Sequence, residues 1–147
     1  MNLDQFKADY TQTEVTLKDI DFSFTKIPAI EAAFMFVKLA KKLFSDVSTI
    51  DFSGDEFNDG KALIFALVAG LDTDYLAQEL APKLFKYIDC KYSLASGKTH
   101  QESFIKGKAT LEKLLGFDDV LELIVRGLCV NFLDALSERM SRLAAKD

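Results

Sequence analysis

FDDVLELIVRGLCVNFLDALSERMSRLAA, residues 117–145, decides how the rest of the chain must be arranged. It holds no proline, and its one glycine is Gly127. Asp118 and Asp119 stand where carboxylates cap a helix and favour its positive end. Arg139, Arg142 and Lys146 stand near the other end, where cations belong. At ~1.5 Å per residue such a helix is about 40 Å long. Asp119, Glu122 and Arg126 form a polar stripe on its first part, but from Gly127 to Leu133 every residue except Asn131 is apolar. A helix apolar on all sides has to be covered by other elements. The stretch therefore predicts a central helix on which the earlier segments pack. Asn131 needs a hydrogen-bond partner there. It reads as a core amide that fixes how a neighbouring helix or loop docks, with a register device at a protein interface as the alternative.

The preceding segments read as the covering elements. Thr99-His100-Gln101-Glu102 fits a capping box, and the helix it opens carries Phe104, Gly107, Leu111, Leu114 and Leu115 before stopping at Gly116. Residues 95–98 read as a turn. Before it, Ile88, Cys90, Tyr92 and Leu94 alternate with polar residues as in a strand. Asp72 or Thr73 can cap a helix over about 74–87, in which Pro82 predicts a break or kink. GKALIFALVAG, residues 60–70, predicts a short buried helix ending at Gly70. Pro28 opens a helix over 28–44, with Ile30, Ala33, Phe34, Val37, Ala40 and Phe44 as its apolar face and Glu31, Lys38 and Lys42 on another.

The acidic connection at 45–59 invites a calcium reading. A loop starting at Asp51 puts Glu56 at the turn position that needs glycine and Ala62 where a bidentate carboxylate belongs. Starting at Asp55 fails in the same way at Phe57 and Ala66. A solvated loop that caps the next helix is the expectation. Further back, Val15 and Leu17 alternate in one register, and Ile20, Phe22 and Phe24 in the other. A two-residue turn at Lys18-Asp19 explains the parity change and sets Leu17 against Ile20 and Val15 against Phe22. A lone hairpin is barely stable, so its apolar face must lie on helices, with the 88–94 strand as a candidate neighbour. Residues 1–12 read as a loose end. The predicted fold is thus mainly α, of the α+β class: one domain over 1–147, with a long C-terminal helix and a small N-terminal antiparallel hairpin.

At 147 residues the chain can bury a real core. Hydrophobic residues make up 49% and charged ones 28%, an ordinary balance for a soluble domain. A net charge of −5 argues against nucleic acid as the main partner. No apolar run reaches the ~20 residues of a membrane span, and the first residues lack a signal-peptide pattern. Cys90 and Cys129 then read as reduced cytosolic thiols. Chemistry is scarce. His100 is the only histidine; with Glu102 engaged in capping it reads as an exposed residue of a first helical turn. Cys90 has nothing local to lower its pKa. One histidine and two scattered cysteines are too few for a zinc site, and no cofactor or metal is expected.

A β-ribbon, then FTKIPAIEAAFMFVKLAKKLF, then an acidic connection, short helices and a late VNF in a long helix resemble the tail assembly chaperones of long-tailed bacteriophages. The resemblance runs over about residues 15–136. It is carried by Phe24, Ile27, Pro28, Ala29 and Ala32 or Ala33, by Lys38, Lys41 and Lys42, by Phe104 with Gly107, and by Val130-Asn131-Phe132. Leu133 and Leu136 stand where the family has an aromatic residue. The resemblance implies a non-enzymatic role in the cytoplasm of the infected host cell: coating the long helical tape-measure protein while tail-tube protein assembles around it. It implies absence from the finished virion, and a shorter product of a frameshifted pair. A chaperone of this kind needs an exposed apolar surface for amphipathic helices and gains from weak homo-oligomer formation. Amphipathicity and charge nominate Phe34, Phe36, Lys38 and Lys41, with Arg139 and Arg142 near the C-terminus, as contacts. The alternatives are a structural tail or connector component, a generic helical adaptor, and, with least support, a small enzyme built on His100, Cys90 or the acidic loop.

Overall fold

A computed structural model describes residues 3–44 and 60–145. Helix α1 (Leu3–Tyr10) leads into strands β1 (Glu14–Leu17) and β2 (Ile20–Phe24) and helix α2 (Ala29–Phe44). After the acidic connection, which lies outside the described residues together with its calcium and capping readings, comes α3 (Gly60–Ala69). A helical stretch follows over residues 73–85, here α4. It starts as Thr73–Tyr75, passes through a π turn at Leu76–Leu80 and ends as Ala81–Phe85. Strands β3 (Ile88–Ser93) and β4 (Thr99–Ser103), then α5 (Phe104–Leu114) and α6 (Phe117–Ala145), complete the order.

Helix α6 separates two apolar clusters. On one side Leu123 and Val130 meet the sheet residues Phe22, Phe24, Ile88 and Cys90, together with Phe104 and Leu111 of α5. On the other, Ile124, Val125, Leu128, Cys129 and Phe132 meet residues of α1, α2, α3 and α4. Every residue from Leu123 to Val130 is buried. Being covered on both sides is the physical reason this span is almost wholly apolar, with Arg126 its one charged residue. Its start is capped as the aspartates suggest: the Gly116 N–H donates to Asp119 Oδ2 at 2.8 Å.

The sheet has the order β1-β2-β3-β4, antiparallel throughout. Leu17 pairs with Ile20 and Val15 with Phe22, as the parity change requires. Lys18 and Asp19 both take positive φ, 51° and 63°, the geometry of the tight turn that matches strand twist. Phe22 pairs with Cys90, so the predicted third strand does join the hairpin. The turn before β4 forms as expected, with Gly97 at φ 84° donating to the Leu94 carbonyl at 2.9 Å.

Several expectations are corrected. Of the first twelve residues, predicted to be a loose end, Leu3–Tyr10 form a packed helix whose Phe6 and Tyr10 are fully buried against the helical cluster. Pro82 does not break its helix. Before it the Ala81 N–H reaches back five residues to the Leu76 carbonyl, and this wider turn carries the helical path on to the residue that cannot donate. Thr99-His100-Gln101-Glu102 is not a capping box but the edge strand β4. Ser103 caps α5 instead, accepting from the Lys106 N–H at 3.3 Å. Glu102 folds inward and accepts from the Tyr92 hydroxyl at 2.6 Å. A Cβ on Gly107 would stand 2.9 Å from that same carboxylate, so a larger residue there would have to displace the Glu102 side chain. His100 is half-buried on β4, stacked on Tyr92 at 5.5 Å. Helix α5 ends at Leu114, and Gly116 serves as the start of α6.

Candidate functional site on the second helix

Helix α2 has the sequence AIEAAFMFVKLAKKLF, without glycine or proline inside it. Its first hydrogen bond runs from the Ala32 N–H to the Pro28 carbonyl at 2.8 Å. Just before it, the Ile27 N–H donates to Asn131 Oδ1 at 2.9 Å, while Asn131 Nδ2 donates to the Gly127 carbonyl at 2.8 Å. Asn131 is therefore a satisfied amide that fastens the start of α2 to α6, half-buried and not in the core. Glu31, in the first turn, accepts the Tyr87 hydroxyl. That bond, followed by desolvation, holds the tyrosine above its usual pKa. On the inner side, Met35, Leu39, Leu43 and Phe44 are buried, and Phe36 packs on Phe132 with ring centroids 5.9 Å apart.

The other stripe is uncovered. Ile30 is 77% exposed, Phe34 73% and Val37 53%. Ala33 beside them is exposed as well. The predicted apolar face of Ile30, Ala33, Phe34, Val37, Ala40 and Phe44 is thus divided: its first four residues are exposed, and Ala40 and Phe44 are buried. The helix carries two apolar stripes, and the docking of its first residues on Asn131 turns the Met35 stripe inward. Beside the exposed stripe runs a groove of about 240 Å³ between α2 and α4. Phe34, Met35, Tyr75 and Leu80 give it apolar walls, and Lys38, Glu79 and Lys83 border it. Lys38 and Glu79 form an ion pair across the two helices. The hydrogen bond from Lys38, more than any other influence, holds the Glu79 carboxyl below the usual carboxylate range. Lys38 and Lys42 also lie over the Tyr75 ring, at 5.8 and 5.6 Å.

Of the six nominated residues, the structure brings Phe34, Lys38 and Lys41 to one solvent-facing side of α2. Phe36 points the other way, into the core, as its contact with Phe132 requires. Arg139 lies over the Phe44 ring at 5.7 Å, at the far end of α2. Arg142 pairs with Glu138 one turn back on its own helix. Ile30 and Val37 lie on the predicted apolar face but outside the six candidate contacts, as do Tyr75, Glu79 and Lys83. A helix apolar over most of its circumference yet carrying three lysines in its last two turns was the available signal.

Elsewhere several polar groups are used in structural roles. Arg126, 7% exposed, donates to Glu122 at 3.0 Å and to the Asp9 carbonyl at 3.2 Å, and lies 4.1 Å from the centre of the Tyr10 ring. Tyr10 in turn donates to Glu122 at 2.5 Å. This cluster fastens α1 to α6. The Cys90 thiol donates to the Glu102 carbonyl, and burial, with nearby carboxylates, pushes it up to about 11. That is the reverse of what a thiolate nucleophile needs. Burial pushes Cys129 up to about 12. A polar cavity of about 640 Å³ beside the sheet mixes Asp9, Asp21 and Asp89 with Lys91 and Arg126. Among the described residues no group of three metal-ligating side chains converges, and no helix is long and apolar enough to cross a membrane. Compared with models of protein families, with curated proteins and with solved structures, the chain finds no match.

Proposed function

We propose that the chain is a tail assembly chaperone of the long-tailed bacteriophage type, acting by binding and without turnover. The observation that carries this reading is the Ile30–Phe34–Val37 stripe: large apolar side chains left in water along a helix whose other side is core. Isolated exposed apolar residues are ordinary; a row of them at helical spacing beside a groove suits an amphipathic helix as its partner. The client is the tape-measure protein, held soluble in the host cytoplasm until tail-tube protein encloses it. The chaperone leaves before the virion is complete.

Magnitudes favour many weak contacts over one strong one. Full burial contributes about 1.5–3 kcal/mol for each of the three side chains. Association costs on the order of 4–15 kcal/mol. A single copy therefore holds its client loosely, and coverage depends on repeated copies along one long protein, helped by weak self-association.

The test is a tagged pull-down from cells expressing the surrounding gene cluster, with bound proteins identified by mass spectrometry. The expected result is one very long, helix-rich protein that is soluble only when this chain is present and is lost with Phe34→Glu. A stoichiometric complex that persists in finished particles would assign the chain to the tail structure instead.

A further inference from the structure

We infer that the exposed stripe of α2 takes an α-helix whose apolar seam is flanked by carboxylates, an inference that rests on the stripe being the docking surface proposed above. Ile30, Phe34, Val37 and Lys41 follow one another at spacings of four, three and four residues. That is the rhythm of a seam between two helices packed side by side. Three residues of the seam are apolar, and the fourth is an ammonium group at its end.

The size of the stripe bears on the occupant. Its three large side chains offer on the order of 300 Å² of apolar surface. A stable dimer needs about 800 Å² from each partner. A second copy seated on this stripe alone would not be held, whereas a helical segment that repeats along a client needs little from each site.

Charge then selects the kind of helix. The chain as a whole is acidic, at −5. Around the stripe the balance is reversed by Lys38 and Lys41 on α2 and Lys83 on α4. Lys38 and Glu79 offset each other as an ion pair, and Glu31 accepts the Tyr87 hydroxyl, which leaves Lys41 and Lys83 as the cations that face a partner. Asp72 and Asp74 gather with Lys42 farther along, at the start of α4. Lys41 is exposed and makes no ion pair to another described residue. A helix lying along Ile30, Phe34 and Val37 thus meets ammonium groups at its flank, and glutamates there match them where lysines would be repelled.

The experiment titrates the full chain with two synthetic helical peptides that share one apolar seam, flanked in one by glutamates and in the other by lysines. Binding is followed by fluorescence anisotropy at low salt and at about 1 M, where screening acts over ~3 Å. The glutamate peptide is expected to bind about tenfold more tightly, the size a few exposed ion pairs supply. The preference is expected to vanish at high salt, and Lys41→Glu to narrow it by about threefold. Phe34→Glu is expected to abolish binding of both peptides. Equal affinity for the two peptides, both still dependent on Phe34, would overturn the charge selection and leave the docking surface standing. Binding of neither would overturn both. Concentration-dependent self-association that Phe34→Glu removes would give the stripe to a second copy and overturn the client assignment.

Discussion

Helices α2 and α6 are both rich in apolar residues, and the fold treats them oppositely. Along α6 every residue from Leu123 to Val130 is buried, because the sheet and α5 press on one side and the other helices on the opposite one. Along α2 only the Met35, Leu39 and Leu43 stripe is covered, and Ile30, Phe34 and Val37 stand in water. Apolar content alone therefore does not say whether a helix is core or surface. What decides is how many neighbours its position offers, and among the described residues α2, at the edge of the helical cluster, has neighbours on one side.

That contrast can be broken by substitution. The largest effect is expected on α6, where Leu128→Ala should cost about 4 kcal/mol through lost burial and a residual cavity, read as a fall in the urea midpoint. A loss under about 1 kcal/mol would mean that α6 is less completely covered than described. Where the two helices are joined, Asn131→Leu should cost about 1–2 kcal/mol, since the part-buried Ile27 N–H loses its acceptor. A hydrogen-exchange rate at Ile27 unchanged by the substitution would contradict the join.

A smaller effect concerns Cys129, on the covered helix. Its thiol is pushed up to about 12 by burial, against an ordinary value near 9 in the unfolded chain. Because the folded value is the higher one, the unfolded state sheds its proton first as pH rises, and stability is lost above about pH 9. Near pH 10 the loss is about 1 kcal/mol from this thiol. Between pH 8 and pH 10 the native chain should lose about 1 kcal/mol more than Cys129→Ala, in which the raised Cys90 thiol still makes its own contribution. The smallest effect belongs to α2: Phe34→Glu should change stability by no more than about 0.5 kcal/mol while abolishing client capture. A large destabilisation there would show the stripe to be core after all.

The sequence made the architecture legible where a period or a parity has one physical solution. The apolar belt of α6 demanded cover on all sides. The parity change at Lys18-Asp19 demanded a two-residue turn, and Asn131 demanded a partner. It was less legible where two solutions share one pattern. Thr99 to Glu102 carries the residues of a capping box, but pairing with β3 gave those backbone groups a ladder, and Glu102 was drawn to Tyr92. At α2 the two apolar stripes are alternatives on one helix, and only a contact made over a hundred residues away in sequence chooses between them. The N-terminal helix was hidden for a similar reason. Leu3, Phe6 and Tyr10 do fall at helical spacing, but the segment is only eight residues long, and Arg126, a cation that secures Tyr10, lies over a hundred residues away.

The bond between Asn131 and Ile27 works as an index mark for rotation. In an α-helix each residue added or removed turns everything beyond it by about 100°. With Ile27 fixed to α6 and Pro28 starting the helix one residue later, the angular phase of α2 is set before its first turn is complete. Deleting one residue between Phe24 and Ile27 leaves composition and charge almost unchanged, yet the chain must either give up the bond or strain the link back to β2. If it gives up the bond, the helix is free to turn, and the side it presents to water changes. Which surface this protein shows to the cell is thus stored as an angle, and one amide reads it out.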